Sequence, residues 1–258
     1  MRLSNAELLE RVETIAVAAG RVVMAVYATE FGFRSKDDAS PVTLADHRAE
    51  ALIVEALHVL APGVPIVAEE SATAGNVPHI GDKFWLVDPL DGTKEFIKRN
   101  GEFTVNVALI QDGLPVLGVV CAPALARVYA GAVAGRAYVR DSAGTRALRC
   151  RTAPAEGLTV VASASHGDAA ALDEFLKGCR VASRLSIGSS LKLCLIAAGE
   201  ADLYPRFGRT MEWDIAAGHG VLAAAGGFVT DLAGAPLRYG KPGFENPAFV
   251  ARGLDAPG

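Results

Sequence analysis

No run of about 20 uninterrupted apolar residues, the length a helix needs to cross a bilayer, occurs in this 258-residue chain, although 51% of its residues are hydrophobic. The apolar content must therefore serve an internal core, large enough for one big domain or two lobes. Glu7, Glu10 and Glu13 interrupt the first apolar stretch, unlike the centre of a secretory leader, so a cytoplasmic protein is expected. Peripheral association is the one membrane mode left open, and no anchor or strongly basic amphipathic helix is visible to support it. Excess positive charge is also missing: the formal net charge is -4, which disfavours a nucleic acid polymer as partner while permitting a local basic pocket for a small anion.

Cysteine is scarce. Cys121, Cys150, Cys179 and Cys194 are dispersed without a C-x-x-C pair, which argues against a metal finger and favours four buried reduced thiols over disulfides. His47, His58, His79 and His219 lack the paired spacing of histidine metal sites and read as structural or solvated. No G-x-G-x-x-G follows a strand, so the glycines at 226 and 227 read as a helix end, not a dinucleotide loop. Ser165, His166 and Asp168 stand nearly side by side, whereas a hydrolase triad is assembled by spatial role. Internal repeats and low-complexity segments are absent too.

What is present alternates between helix and strand patterns. Ser4-Asn5-Ala6-Glu7 has capping-box spacing ahead of a helical stripe through Leu8, Val12, Ile15, Ala19, Val22 and Val26. A polar loop over 34–41, expected to be mobile, precedes a second helix that Thr43 could cap and that Pro62-Gly63 would stop. Short apolar runs at 65–68 and 84–87 read as buried strands delivering Glu69-Glu70 and Asp88, with Trp85 in the core. Runs at 103–110 and 114–121, joined by Asp112-Gly113, read as a hairpin that 127–133 and 136–140 extend into an antiparallel sheet. Beyond Ala153-Pro154, strands at 159–162, 180–185, 201–204 and 228–231 alternate with helices at 168–177, 190–198 and 214–225. The fold class is thus α/β, with an α+β lobe over 1–153 that carries most of the acids and an α/β lobe over 154–258 that carries Asp214.

The richest chemistry lies at 85–96, where an apolar strand ends in Asp88-Pro89-Leu90-Asp91-Gly92-Thr93. Asp88 and Asp91 offer hard oxygen ligands, the Leu90 carbonyl a further one, and Gly92-Thr93 backbone amides for an anion. Glu69 completes the cluster, and Asp214 could close it from across a cleft. Carboxylates holding two or more divalent ions supply what phosphate-ester hydrolysis needs, a charge clamp and an activated water. If Asp46 accepts a hydrogen bond from the Thr93 hydroxyl, the two can orient that water without a covalent intermediate. An aspartyl-phosphate mechanism is disfavoured, because its paired acids lie one residue apart while Pro89 and Leu90 separate Asp88 from Asp91.

The run 88–93, the upstream Glu69-Glu70-Ser71 and the segment Glu212-Trp213-Asp214-Ile215-Ala216-Ala217-Gly218 resemble, in order, the three motifs of the inositol monophosphatase superfamily of lithium-sensitive phosphatases. The stretch 91–104 and Gly188-Ser189-Ser190-Leu191-Lys192 are similar to its bacterial 3'(2'),5'-bisphosphate nucleotidase branch, over nearly the whole chain. The resemblance implies the layered αβαβα sugar-phosphatase fold and a magnesium site of two or three ions. Glu69, Asp88 and the Leu90 carbonyl would hold one ion, and Asp88, Asp91 and Asp214 a second. It also implies Thr93 with Asp46 as the water-activating pair, Lys36 near the site, Glu70 as a supporting acid and inhibition by Li+.

For the substrate, the resemblance points to Gly92, Thr93, Lys94, Ser165, His166, Ser189, Ser190, Lys192, Arg206 and Asp214. Ala164 stands where related enzymes often have arginine, so one expected phosphate or base contact is either missing or supplied by Arg206 or Arg209. Implied is release of the 3'-phosphate of adenosine 3',5'-bisphosphate, its sulfated analogue being a second substrate, in a monomer or homodimer serving sulfate assimilation. Inositol monophosphate or fructose 1,6-bisphosphate is the alternative substrate class, against which Lys94-Glu95 departs from the Thr-Asn of the plain inositol branch. A metal- or nucleotide-binding relative without turnover is the third reading.

Overall fold

A computed structural model of the chain describes residues 4–29, 41–163 and 169–254. Seven α-helices and fourteen strands are found among them: α1 Asn5–Tyr27, α2 Pro41–Leu60, β1 Ile66–Ala68, α3 Glu69–Thr73, β2 Lys83–Asp91, α4 Thr93–Lys98, β3 Thr104–Gln111, β4 Leu114–Ala122, β5 Arg127–Ala132, β6 Ala137–Asp141, β7 Gly144–Ala147, β8 Leu158–Ser163, α5 Ala169–Phe175, β9 Val181–Ile187, α6 Leu191–Ala197, β10 Leu203–Arg206, β11 Thr210–Met211, α7 Glu212–Ala224, β12 Phe228–Asp231, β13 Glu245–Asn246 and β14 Phe249–Arg252.

Strands β1 to β7 form one sheet in sequence order, and β12-β14-β10-β8-β9 form a second. Alternation along β2 decides how the first sheet is covered. Trp85 and Val87 face a core shared with Leu9, Val12 and Ala16 of α1 and Ala49 and Ile53 of α2. Phe84 and Leu86 face the opposite way, into a core shared with α6, with Ile215, Ala216 and Val221 of α7, and with Val161, Tyr204 and Phe249 of the second sheet. On the far side of that sheet, Val160, Leu203 and Val250 pack on Leu172 and Phe175 of α5. The five layers α1/α2, first sheet, α6/α7, second sheet and α5 make up the αβαβα order. A strand buried on both faces reads as a continuous apolar run, which is why periodicity alone marks 84–87 so plainly.

The elements follow local rules. Ser4 and Glu7 form the expected capping box, with the Glu7 amide donating to Ser4 Oγ at 3.3 Å and the Ser4 amide to Glu7 Oε2 at 2.9 Å. Asp112 and Gly113 both take positive φ, 54° and 75°, as a tight hairpin turn requires. Other expectations are corrected. Helix α2 starts at Pro41, not after a Thr43 cap, because proline's fixed φ suits the first turn of a helix. Strand β2 runs on to Asp91 instead of stopping before Asp88. Helix α7 starts at Glu212, so Asp214 lies inside its first turn. Cys179 is exposed, since it sits in the turn after α5 beyond that helix's apolar stripe, while the other three cysteines are buried and all four are free. The loop expected at 34–41 falls almost wholly outside the described residues.

Helix α7 lies unusually close to the first sheet. A Cβ on Gly118 of β4 would sit 2.1 Å from the Ala217 carbonyl oxygen, and one on Gly220 of α7 would meet the Gly118 amide nitrogen at 2.9 Å. The contact is backbone against backbone, so no rotamer change can relieve an added methyl. Gly118→Ala is expected to cost about 3 kcal/mol, the upper range for overpacking, measured as a lower urea midpoint with unchanged slope.

Candidate active site

Asp88 and Asp91 are three residues apart, and in a regular strand that spacing would send them to opposite faces. Proline at 89 has no N–H to give the ladder, and the register breaks there. Asp88 pairs with Asn106 and Asp91 with Thr104, so three steps on β2 match two on β3. The extra residue is a β-bulge, and it returns both carboxylates to one face. Asp88 Oδ1 accepts the Leu90 amide at 3.0 Å, which ties the bulge to the side chain it aims.

Three further elements converge on that face. Glu69 opens α3 at the end of β1, which runs parallel to β2. Asp214 reaches in from α7, and its Oδ2 is fixed by the Met211 amide at 2.8 Å. Carboxylate oxygens of Glu69, Asp88 and Asp214 all lie within 4.8 Å of one another. Asp91 stands beside them, its Oδ2 accepting the Ser190 amide at 2.6 Å and the Asn106 amide group at 3.5 Å. Together with the Leu90 backbone these acids line a cavity of about 290 Å³.

Like charges in a buried place resist ionising. Burial first, then the charges of Glu69, Asp91 and Asp214, hold the Asp88 carboxyl well above its ordinary range. Glu69 is pushed up to about 7, mainly by burial. Asp214 rises to about 8, by burial and then by Asp91. Asp91 is raised less freely, because Lys192 and the Ser190 amide oppose its burial. Asp46 rises to about 8 through burial and the charges of Glu70, Glu69 and Glu50.

The same cavity also has basic residues in its lining. Gly92, at φ 93°, turns the chain into α4, and Thr93 and Lys94 of its first turn line the cavity. Ser189, Ser190, Lys192, Arg206 and Arg209 also line it. Lys192 Nζ donates to the carbonyls of Ile187 at 3.1 Å and Ser189 at 2.5 Å, and burial lowers the ammonium to about 8. Arg206 donates to the Gly208 and Arg209 carbonyls at 3.1 Å each. Arg209 is exposed and pairs with Glu245 at 2.9 Å.

One expectation needs correction here. Among the described residues no hydrogen bond joins Thr93 to Asp46, since Thr93 is exposed at the start of α4 while Asp46 is buried on α2. The Ser190 hydroxyl is buried and committed to Asn106 at 2.8 Å and Thr104 at 3.0 Å, so it is its backbone amide that serves the acids. Glu70 does not line the cavity; its carboxylate lies 3.6 Å from His47. Lys36, Ala164, Ser165 and His166 lie outside the described residues. His219 is structural as read: it is buried, contacts the Tyr239 hydroxyl at 2.9 Å and is pushed down to about 3 by burial.

Sequence reading missed Asn106, Thr104 and Glu50. Thr104 and Asn106 were within reach, as polar residues two apart on an otherwise apolar strand point to one face. Glu50 carried no such signal.

The chain belongs to the inositol monophosphatase family, whose model matches residues 4–254. It is 48% identical over 245 residues to the 3'(2'),5'-bisphosphate nucleotidase CysQ of Shigella flexneri, covering 94% of this chain and 98% of that one. The enzyme of the same name from Escherichia coli K12 is 47% identical over the same span. The crystal structure of CysQ from Bacteroides thetaiotaomicron matches with a TM-score of 0.84 at 35% identity, over 98% of this chain and 99% of that one.

The donor set fits the divalent metal that such a family implies. Carboxylate and carbonyl oxygens suit hard cations, and the mutual repulsion of Glu69, Asp88 and Asp214 is what an added positive charge would relieve. The sign of the pH effect follows. A carboxylate with a raised folded pKa stabilises fully below its unfolded value of about 4 and loses that contribution as pH rises through the folded value, about 7 for Glu69 and about 8 for Asp46 and Asp214. In a chelating buffer the melting temperature should fall between pH 5.5 and 8, and Asp214→Asn should flatten the fall when the two are compared by calorimetry.

Proposed function

We propose that this protein is a magnesium-dependent 3'(2'),5'-bisphosphate nucleotidase that hydrolyses adenosine 3',5'-bisphosphate, and its sulfated analogue, to the 5'-nucleotide and phosphate. The observation that carries the reading is one cavity lined both by an acid cluster, Glu69, Asp88 and Asp214 with Asp91 beside them, and by the cations Lys192, Arg206 and Arg209. Glu69, Asp88, the Leu90 carbonyl, Asp91 and Asp214 would hold two or three Mg2+ ions. Such ions would supply charge neutralisation for a transferring phosphoryl group and a more acidic water.

The chain's own groups do the rest. Gly92, Thr93 and Lys94 line the cavity where the chain turns into α4, a turn of the kind whose backbone favours anions. Asp46, in its ionised form, is the candidate acceptor of the water's proton, and Thr93 orients the attacking water from the cavity wall. Lys192 holds the Ser189 carbonyl and offsets the charge of Asp91. Lys94, Ser189, Arg206 and Arg209 are placed to meet the remainder of the substrate, and Arg209 is the most available because an exposed ion pair is weak.

The likeness to the CysQ nucleotidases, at 47 to 48% identity, favours a nucleoside bisphosphate over inositol or sugar phosphates. On this reading 1–153 and 154–258 act as two lobes about the site, and the enzyme works in the cytoplasm as a monomer or homodimer. No helix among the described residues is long and apolar enough to cross a membrane.

Phosphate release from adenosine 3',5'-bisphosphate, inositol 1-phosphate and fructose 1,6-bisphosphate, each with Mg2+ and with added Li+, tests the assignment. The nucleotide should react fastest and Li+ should inhibit; preference for the inositol ester would reject the substrate. Asp88→Asn should lower kcat by about 1,000-fold, the upper range for losing one preorganised electrostatic group. Binding of the nucleotide without any phosphate release would point to a non-catalytic relative.

A further inference from the structure

Glu50 lies on α2, one helical turn after Asp46, and is only 6% exposed. Its carboxylate is committed across the fold. Oε2 accepts the Glu70 amide at 2.8 Å, while Oε1 accepts the Ser71 amide at 2.9 Å and the Ser71 hydroxyl at 2.5 Å. These are the free donors of the first turn of α3, the helix whose first residue is Glu69.

The N-cap position of α3 is Ala68, which makes no side-chain cap. Ala68 is also 2% exposed and belongs to the apolar core under β2. A polar cap at that position would be buried among Trp85 and Val87, so the free amides of α3 need a partner from elsewhere. A five-residue helix has almost no stability of its own. The direction in which Glu69 leaves β1 therefore depends on what grips the next two residues, and that grip is Glu50.

Burying a carboxylate without a cation is costly. No ion pair involves Glu50 among the described residues, and its negative charge adds to that already felt by Glu69 and Asp46. A group that worsens the repulsion in the acid cluster must return something in geometry. We infer that Glu50 is a positioning residue for the metal site: it fixes the first turn of α3 so that the Glu69 carboxylate meets those of Asp88 and Asp214. Because Asp46 sits on the same face of α2, one helix sets the place of both acids.

The inference rests on Glu69 being a metal ligand, and the test separates the two. Mn2+ is titrated into the substrate-free protein and followed by the electron paramagnetic resonance of the free ion. Glu50→Gln keeps the size but loses charge and one acceptor, and should weaken Mn2+ binding by about 10-fold or more, as removing a partner that orients a ligand does. Ser71→Ala removes one donor and should weaken it in the same direction by less; it decides the matter if Glu50→Gln does not fold. In steady-state assays the kcat lost in Glu50→Gln should return as Mg2+ is raised, with KM for the nucleotide little changed. Wild-type Mn2+ affinity in these variants, while Glu69→Gln weakens it, overturns the positioning role. Wild-type affinity in Glu69→Gln instead overturns the ligand assignment beneath it.

Discussion

Mutual repulsion among buried carboxylates is the constraint around which the site is organised. Two unit charges about 4 Å apart near a protein surface repel by roughly 4 kcal/mol, and here Glu69, Asp88 and Asp214 bring oxygens within 4.8 Å with Asp91 beside them. No strand or helix would gather these groups for its own stability. Each is instead held by backbone: Asp88 by the Leu90 amide, Asp91 by the Ser190 amide, Asp214 by the Met211 amide and Glu69 through the first turn of its helix. The layered core supplies the rigidity, with α7 set against β4 so closely that only glycine fits at 118.

Such a site stores the charge pattern of its ligands in advance. Its acids suit hard cations, and the cations that share the lining suit a phosphate ester. Lys192 is shared between the two tasks, because it offsets Asp91 while its protons go to the Ile187 and Ser189 carbonyls. Arg206 is similarly bound to carbonyls. The cationic part of the lining is thus built first as structure, and its field reaches the cavity as a consequence.

Much of this could be read along the chain wherever the cause was local. The capping box at Ser4 and Glu7, the Asp112-Gly113 turn and the apolar run of β2 each act within a few residues. The acids were legible as residue types at strand and helix ends, and the order of three motifs sufficed to indicate the family. Thr43 as a helix cap, a buried Cys179 and the Thr93–Asp46 bond failed, because each required knowing which surface lay opposite. Glu50 was missed for the same reason: its partners, Glu70 and Ser71, are twenty residues away and on another element.

Legible along the chain was the inventory: helices and strands in α/β alternation, enough apolar residues for a core, and carboxylates placed where strands and helices end or begin. Periodicity, capping and turn chemistry act over short separations, so that information lies in neighbouring letters. Only the tertiary structure decided that the β2 bulge turns Asp88 and Asp91 to one face, that α7 brings Asp214 to meet them, and that α2 grips α3 through Glu50. Those outcomes depend on packing between distant segments, where register and direction are set by the whole fold.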